Sequence, residues 1–277
     1  MDYGRAGHPE RAERIVGTVP LLKKEHSNWV WVVPEVATRQ QLLAGHSDEY
    51  IEQVVCARVD FDSDSPAYPY VFEHAARATG AAIAAARAAG DGHHAFSLMR
   101  PPGHHALRDR AMGFCYFNHV ALAAFDALQR DIERVAIWDF DAHHGNGTEA
   151  LVANKPQITF ASIHQYPGWP GTGTKSFANI YNFPVRPYSS RPEHVKAVKQ
   201  ALVTLLHFRP QLLLISAGFD AFVHDPITQM TLEGEDFATF GKWLRDIDVP
   251  TAAVLEGGYS DELPLLIDAF LSAWDSL

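Results

Sequence analysis

The segment IWDFDAHHGNG (137–147) places two carboxylates and two imidazoles directly after a short apolar run. Asp141 and His143 are two residues apart, and in extended chain such residues point to the same side. A carboxylate and an imidazole could therefore bind one metal ion together. Asp220, at the end of LLLISAGFD, is the candidate third ligand. Three protein ligands that leave a position for water are typical of a catalytic divalent site, although an Asp-x-His triplet alone is common by chance.

A second group, RPPGHH, supplies the adjacent histidines His104 and His105. Pro-Pro-Gly should hold their backbone stiffly, and adjacent histidines cannot bond one atom in the same way, so two distinct roles are expected. Tyr259 ends EGGY, where two glycines permit a tight backbone path. A phenol there can donate a hydrogen bond to the oxyanion that forms when water attacks an amide carbonyl. An ordinary polar loop and a buried structural tyrosine are the alternatives.

The chain contains five apolar runs of strand length: Ala95–Met99, Val135–Trp138, Ile158–Ile163, Leu212–Ser216 and Thr251–Leu255. They lack the alternation of a half-exposed strand, which favours strands covered on both faces. Helix-like segments lie at 70–89, 119–130, 192–208, 232–246 and 260–274. This order predicts an α/β fold with a mainly parallel sheet and helices on both faces. No repeat or long linker interrupts it, so one domain over residues 1–277 is predicted.

Each apolar run leads into polar residues that could do chemistry, namely RPPGHH, DFDAHHGN, HQYPGW, AGFDAF and EGGY. In open α/β sheets, ligand sites lie beyond the carboxyl ends of the strands. The five ends are therefore expected to converge on one site, with ordinary β–α loops as the alternative. A second histidine pair, His93 and His94, precedes the first run and is predicted to lie at the opposite end of the sheet, in solvent.

The composition and net charge of the chain exclude some classes of binding partner. The chain has 277 residues, 47% hydrophobic and 20% charged, as in an ordinary globular protein. A formal net charge of −10 without a basic block argues against nucleic acid as a partner. No stretch resembles a signal peptide or has the roughly 18 apolar residues of a membrane-spanning helix, so no membrane partner is expected. Cys56 and Cys115 suggest no disulfide framework, and a cytoplasmic location is predicted.

Six ordered motifs resemble those of the histone deacetylase superfamily: RPPGHHA (100–106), GFCYFN (113–118), DFDAHHGNGT (139–148), HQYPGWPGTG (164–173), SAGFDAFVHDP (216–226) and EGGY (256–259). HHGNG, with Asn where another branch has Asp, is similar to the class II enzymes and bacterial relatives such as acetylpolyamine amidohydrolases. The resemblance runs from about Gly7 to about Tyr259. It implies an arginase-like α/β domain.

The resemblance also implies the metal site, with Asp141, His143 and Asp220 binding one Zn²⁺ ion. Arginases need an Asp two positions after the histidine of an Asp-Ala-His motif for their second metal, and here Gly145 stands at that position. One catalytic metal is therefore expected. A K⁺ ion is implied near four residues: Asp139, Asp141, His143 and Ser162.

The resemblance makes His105 the general base and later the proton donor to the leaving amine, while His104 gives electrostatic support. Each imidazole needs a partner on its other nitrogen. The implied partners are Asp139 for His104 and Asn146 for His105. Because a carboxylate raises the basicity of its histidine more than an amide does, the two histidines should titrate differently. His144 is interpreted as a structural group.

Gly113, Phe114 and Trp169 resemble the lining of the narrow acyl-lysine tunnel of the family, in which two aromatic faces flank an alkyl chain bearing an amide. Animal class IIa relatives, which deacetylate poorly, carry His at the position of Tyr259, so the tyrosine indicates an active enzyme. His46, in GHSDEY, resembles a recurrent turn of the family and is interpreted as a helix cap.

The predicted function is zinc-dependent hydrolysis that removes an acetyl or other acyl group from an acylated amine, such as acetyl-lysine or an acetylpolyamine. Hydrolysis of another small amide or ester and a non-catalytic module that binds acyl-lysine are the alternatives. Family members usually have a strand and a rim loop before GHPERAERI, so either a truncated gene product or a domain without that strand is expected. The natural substrate, the acyl chain and the oligomeric state are left open.

Overall fold

The computed structural model describes residues 3–275. Its six strands are β1 (Ala95–Ser97), β2 (Val135–Asp139), β3 (Ile158–Gln165), β4 (Ile180–Val185), β5 (Leu212–Ala217) and β6 (Thr251–Leu255). Its helices are α1 (Glu13–Val16), α2 (Thr18–Glu25), α3 (Arg39–Leu43), α4 (Asp48–Val55), α5 (Val71–Gly90), α6 (His119–Leu128), α7 (Asn146–Val152), α8 (Arg191–His207), α9 (Gly234–Arg245) and α10 (Leu263–Asp275). None of these helices is long and apolar enough to cross a bilayer.

The strands form one sheet in the order β1-β6-β5-β2-β3-β4, and every neighbouring pair is parallel. The predicted fold class is therefore confirmed. Asp139, the last residue of β2, lies beside Ser216 of β5 on one side and Ser162 of β3 on the other. Since all strands run in the same direction, the polar segments that follow them meet at one edge of the sheet.

Successive residues of the central strands face opposite helical layers. Ile137 and Leu214 pack in one apolar cluster with α5 and α6, and Trp138 and Ile215 pack in another with α8, α9 and α10. Every residue of β2, β5 and β6 is buried, which explains why these runs show no alternation of apolar and polar positions. The two layers hold the strands rigidly beneath the loops at their carboxyl ends.

The sequence prediction missed several elements. β4 was not predicted because it lies at the edge of the sheet, alternates between buried and partly exposed positions, and contains Pro184. The helices α1 to α4 and α7 have four to eight residues each, too short to show a clear apolar period. β3 extends to Gln165, so the first residues of HQYPGW belong to the strand.

The other end of the sheet carries the pair His93 and His94. Both residues are exposed and directly precede β1, so they lie at its amino end as predicted. The ring of His94 stacks on Trp274 of α10, with 5.0 Å between centroids.

Candidate active site

The three predicted metal ligands lie together at the carboxyl edge of the sheet. One ligand atom from each of Asp141, His143 and Asp220 lies within 4.8 Å of the other two. His143 Nδ1 is 2.7 Å from Asp220 Oδ2 and 3.4 Å from Asp141 Oδ1. Both carboxylates are buried, and the imidazole is partly exposed. Two oxygens and one nitrogen therefore face a common point.

Backbone amides fix the two carboxylates. The N–H of Gly257, which follows β6, donates to Asp141 Oδ2 at 2.7 Å, and the N–H of Ala142 donates to Asp220 Oδ1 at 2.8 Å. The N–H of His143 donates to Asp141 Oδ1 at 2.9 Å. Hydrogen bonds thus join the loops after β2, β5 and β6 and fix the orientation of both carboxylates.

The electrostatics of this group favour a cation. Burial, and then the charge of Asp141, raise the pKa of Asp220. Burial opposes a charge on His143, but its hydrogen bonds with Asp141 and Asp220 outweigh burial and raise the pKa of His143 to about 10. Two buried carboxylates attract any positive charge that can enter, whether a proton on the imidazole or a divalent ion.

The histidine pair of RPPGHH is buried beside the ligand group, with 3.9 Å between the two ring centroids. His104 Nδ1 lies 3.0 Å from Asp139 Oδ2, and His105 Nδ1 lies 2.8 Å from Asn146 Oδ1. These are the partners implied by the sequence resemblance. Each partner accepts the Nδ1 proton and leaves the lone pair of a neutral ring on Nε2.

The pKa values of the two histidines are shifted differently, as the sequence predicts, and the two shifts are opposite in direction. Burial opposes a charge on His104, but the carboxylates of Asp141 and Asp139 outweigh it and raise the pKa of His104 well above its usual value. Burial lowers the pKa of His105 well below its usual value, and the neighbouring His104 and His143 lower it further. One imidazole therefore favours its charged form and the other its neutral form.

Glu256, the first residue of EGGY, supports the histidine pair in a way that sequence reasoning missed. Its Oε2 accepts the backbone N–H groups of Gly103 at 2.7 Å and His104 at 3.1 Å, and the Ser216 hydroxyl donates to Oε1 at 3.2 Å. Burial raises the pKa of Glu256 to about 7. The signal available in the sequence was a carboxylate directly after the apolar run Thr251–Leu255, where the chain is expected to be buried.

Tyr259 is held by two further residues that the sequence did not single out. The Arg14 guanidinium donates through Nε to the Gly258 carbonyl at 2.7 Å and lies 4.6 Å above the Tyr259 ring. Asp225 Oδ2 accepts the backbone N–H of Tyr259 at 2.8 Å. Burial raises the pKa of the Tyr259 phenol well above its usual value, so the hydroxyl keeps the proton that it could donate.

Two aromatic rings flank this centre. Phe114 packs edge-on against Tyr259 at 5.6 Å, and Trp169 packs edge-on against His105 at 4.6 Å. Gly113 has a φ of 57°, and a Cβ there would lie 2.4 Å from the Trp169 ring and 2.6 Å from the His105 ring. Only glycine therefore lets the GFCYFN loop approach both rings.

His144 lies outside the ligand group, in agreement with its interpretation as a structural residue. It is buried, its Nδ1 lies 2.7 Å from Thr172 Oγ1, and its Nε2 lies 3.1 Å from Glu149 Oε2. Ser162, one of the four residues assigned to K⁺, neighbours Asp139 in the sheet and accepts the Gly145 N–H at 3.4 Å.

The interpretation of His46 as a helix cap is not what the structure shows. His46 is buried between α3 and α4, and Ser47 caps α4. His46 Nδ1 lies 3.0 Å from the Leu107 carbonyl, and Nε2 accepts the Asn118 N–H at 3.0 Å. The ring joins two loops near the site instead of ending a helix.

Comparisons of sequence agree with this geometry. The family model of the histone deacetylase domain matches residues 8–273. A probable deacetylase from Archaeoglobus fulgidus is 35% identical, over 92% of this chain and 77% of its own length. A histone deacetylase-like amidohydrolase from Pseudomonas aeruginosa is 35% identical, over 81% of this chain and 65% of its own length.

A solved structure extends the agreement to the fold. Acetylpolyamine aminohydrolase from Burkholderia pseudomallei matches with a TM-score of 0.89 and 27% sequence identity, over 100% of this chain and 94% of that one. The family model, the relatives and the fold all point to the assignment that the six motifs imply. This chain belongs to the histone deacetylase family.

Proposed function

We propose that this protein is a zinc-dependent amidohydrolase that removes an acetyl or other acyl group from an acylated amine. One observation carries the proposal: a buried Asp–His–Asp group lies beside two histidines whose Nδ1 atoms face different acceptors, a carboxylate and an amide. A module that only binds a metal ion does not require two adjacent histidines with different hydrogen-bond acceptors. Perturbed titratable groups around a ligand cluster are typical of a catalytic centre.

The donor set fits zinc. Carboxylate oxygens and an imidazole nitrogen are ligands that zinc accepts, and the ligand atoms of Asp141, His143 and Asp220 lie within 4.8 Å of one another. When bound, the zinc ion supplies a Lewis acid for the acyl carbonyl and lowers the pKa of water to about 7. We include K⁺ near Asp139, Asp141, His143 and Ser162 in the proposal on the strength of the family resemblance.

His105 is suited to be the general base. Its lowered pKa keeps the imidazole neutral, and the Nδ1–H donates to Asn146, which leaves the Nε2 lone pair to accept a proton from the attacking water. The same nitrogen then returns the proton to the leaving amine. His104, whose pKa is raised, keeps a positive charge next to Asp141 and Asp139 and stabilises negative charge that develops nearby.

Tyr259 is suited to stabilise the oxyanion. Its phenol keeps its proton, and its backbone is fixed by the hydrogen bond to Asp225 and by Arg14 above the ring. Such a donor needs little reorganisation when charge develops on the acyl oxygen, and removal of one oxyanion donor typically costs about a hundredfold or more in turnover.

The substrate class follows from the rings and the charge. Phe114 and Trp169 can flank an alkyl chain that bears an amide, and they make no demand on the far end of that chain. A formal net charge of −10 favours cationic substrates. Relatives named as a histone deacetylase-like amidohydrolase and an acetylpolyamine aminohydrolase make acetyl-lysine and acetylpolyamines the leading candidates.

The other sequence predictions stand beside this proposal. They are a single domain over residues 1–277, a cytoplasmic location, and partners that include neither nucleic acid nor membrane. Hydrolysis of a different small amide or ester, and acyl-lysine binding without hydrolysis, are the competing outcomes of the test.

The deciding experiment measures acetate release by protein of defined metal content, with acetyl-lysine peptides and acetylated polyamines side by side. Metal-dependent release from at least one substrate is expected. Asp220→Asn should abolish it, and the matched control His94→Ala, at the other end of the sheet, should retain it. Bound metal with no release from either substrate contradicts the proposal and favours a binding module, and release from esters alone favours the other hydrolase.

A further inference from the structure

His144 is the second histidine of DAHHG, and its surroundings differ from those of His143. Its side chain is only 1% exposed, and both of its ring nitrogens have partners. With the Glu149 carboxylate ionised, Nε2–H donates to Glu149 at 3.1 Å, and the Thr172 hydroxyl then donates to Nδ1 at 2.7 Å. Adjacent residues of DAHHG thus serve two regions: His143 joins the ligand group, and His144 reaches the chain after β3.

Two elements anchor the acceptor on one side of His144. Glu149 belongs to α7, and its Oε2 also accepts a hydrogen bond from Asn182 Nδ2 of β4 at 2.7 Å. Because Glu149 lies on a helix and is hydrogen-bonded to a strand, its carboxylate is held in place independently of the loops around it. His144 is therefore fixed at Nε2, and its Nδ1 presents a fixed contact to Thr172.

The Trp169 segment, residues 166–173, contains neither helix nor strand and lies between β3 and β4. Its carboxyl end rests on two histidines, through Thr172 on His144 and through the Gly173 carbonyl on His164 Nε2 at 3.0 Å. Gly173 has a φ of 74°, and a Cβ there would lie 2.5 Å from both imidazole rings. The backbone of the segment at Gly173 is thus in close contact with both imidazole rings, which leaves no room for a side chain.

The side chain of Trp169 is 44% exposed. Its ring lies edge-on to two imidazoles, with 4.6 Å to the centroid of His105 and 6.0 Å to that of His143, and much of the indole faces solvent. Where the indole sits therefore depends on where the Trp169 segment is anchored. Displacement of a ring that flanks the alkyl chain of the substrate would remove apolar contact area from the bound state and weaken binding.

We propose that His144 positions Trp169, through Thr172, and thereby sets how tightly acylated amines bind beside His105. His144 is a positioning residue, because its ring nitrogens bond Thr172 and Glu149 and neither bonds a residue of the ligand group. This inference rests on the proposed function for its kinetic consequences, although the anchoring of the segment can be tested without any activity.

Substitution of His144 itself could disturb the adjacent His143, so the test uses Thr172→Val, which keeps the shape and removes the hydroxyl. Thr172→Ser restores the hydroxyl. Thr174→Val is the matched control, since Thr174 is exposed and forms no side-chain hydrogen bond within residues 3–275. With acetyl-lysine peptide, Thr172→Val should raise KM about fivefold, as expected for one lost hydrogen bond, and leave kcat within about twofold. Thr172→Ser and Thr174→Val should stay near wild type.

Hydrogen exchange of the amides in the Trp169 segment gives the second readout, on metal-free protein. Thr172→Val should accelerate exchange there about fivefold, and Thr174→Val should not. Equal exchange in the two valine variants overturns the inference, as does a fall in kcat with KM unchanged. If wild-type protein hydrolyses no acylated amine, the proposed function fails, and the exchange rates alone support or overturn the anchoring by His144.

Discussion

Two histidine pairs lie on either side of β1 and share a sequence but little else. His93 and His94 are exposed at the amino end of the strand, and His94 only stacks on Trp274. His104 and His105 are buried at the carboxyl edge, each with an acceptor for its Nδ1 proton. The environment of a His-His dipeptide is therefore set by burial and by the acceptor that each Nδ1 atom faces, and the dipeptide sequence alone does not determine it.

The buried pair also carries an internal contrast that the exposed pair lacks. Asp139 gives His104 a carboxylate partner, and Asn146 gives His105 an amide partner. The pKa of His104 is raised and that of His105 is lowered, although both rings are buried.

Removal of the metal should have the largest effect on acetate release. It should act only at the carboxyl edge of the sheet, where the ligand group lies, and not at His93 and His94. Chelation should reduce acetate release by more than about a hundredfold, since both carbonyl polarisation and water activation are lost. Excess zinc at about 100 times its Kd should raise the free energy of unfolding by about 2.7 kcal/mol. Thermal unfolding with and without zinc tests this, and His94→Ala should show the same shift as wild type. An unchanged Tm with zinc would contradict the assigned ligands.

Loss of the base or of the oxyanion donor should follow. His105→Ala and Tyr259→Phe should each lower turnover of an acetyl-lysine peptide by at least about tenfold. His93→Ala, which removes an exposed imidazole from the other pair, is the control and should leave turnover unchanged. Full activity of either site variant in metal-loaded protein would refute its role.

The contrast between the two partners can be removed by Asn146→Asp, which gives each histidine a carboxylate partner. A carboxylate beside His105 favours the imidazolium and raises the pKa of His105, so the base stays protonated up to a higher pH. The acidic limb of the kcat/KM profile should therefore move up by about one pH unit. Asn154→Asp, an exposed position after α7, adds the same charge away from the site and should not move it. A limb that stays in place or moves down would count against His105 as the base.

Substitution of His46 should give the smallest effect. It tests how burial shifts the pKa of a histidine that has no proposed role in catalysis. Burial lowers the pKa of His46 from 6.5 to about 4, so between these values the unfolded chain binds a proton that the folded protein does not. The folded state therefore loses stability as pH falls, by about 1.4 kcal/mol per pH unit for this one group. His46→Gln, which keeps a donor and an acceptor, should lessen the slope by that amount. Urea unfolding of metal-free protein at several pH values measures it, and equal slopes would contradict the shift.

Much of the fold could be predicted because its central strands carry a strong local signal. The buried run TAAVL was placed to the residue as Thr251–Leu255, and the carboxyl-end rule brought the five polar segments to one edge. The ordered motifs then indicated the family. β4 escaped prediction because an edge strand with Pro184 and partly exposed positions has no such signal.

The residues that support the site were harder to predict for a different reason. Glu256, Asp225 and Arg14 act through bonds to backbone groups, and such bonds depend on how distant loops approach one another. Nothing in the local pattern of GHPERAERI states that one of its arginines reaches EGGY. Residue types at the ends of the apolar runs indicated which side chains would lie together at the carboxyl edge, and they did not indicate the residues that support those side chains.

The reach of Arg14 has a consequence for how the protein matures on the ribosome. Arg14 and Gly258 are 244 residues apart, and Arg14 also donates to the Glu256 carbonyl at 2.5 Å. An early segment of the nascent chain must therefore wait for a late one before the tyrosine loop has its buttress, although much of the sheet can assemble sooner. Strand β6 also lies between β1 and β5, so β1 joins the sheet only after residues 251–255 have been made. The sheet and the loop of Tyr259 are therefore completed together, late in synthesis.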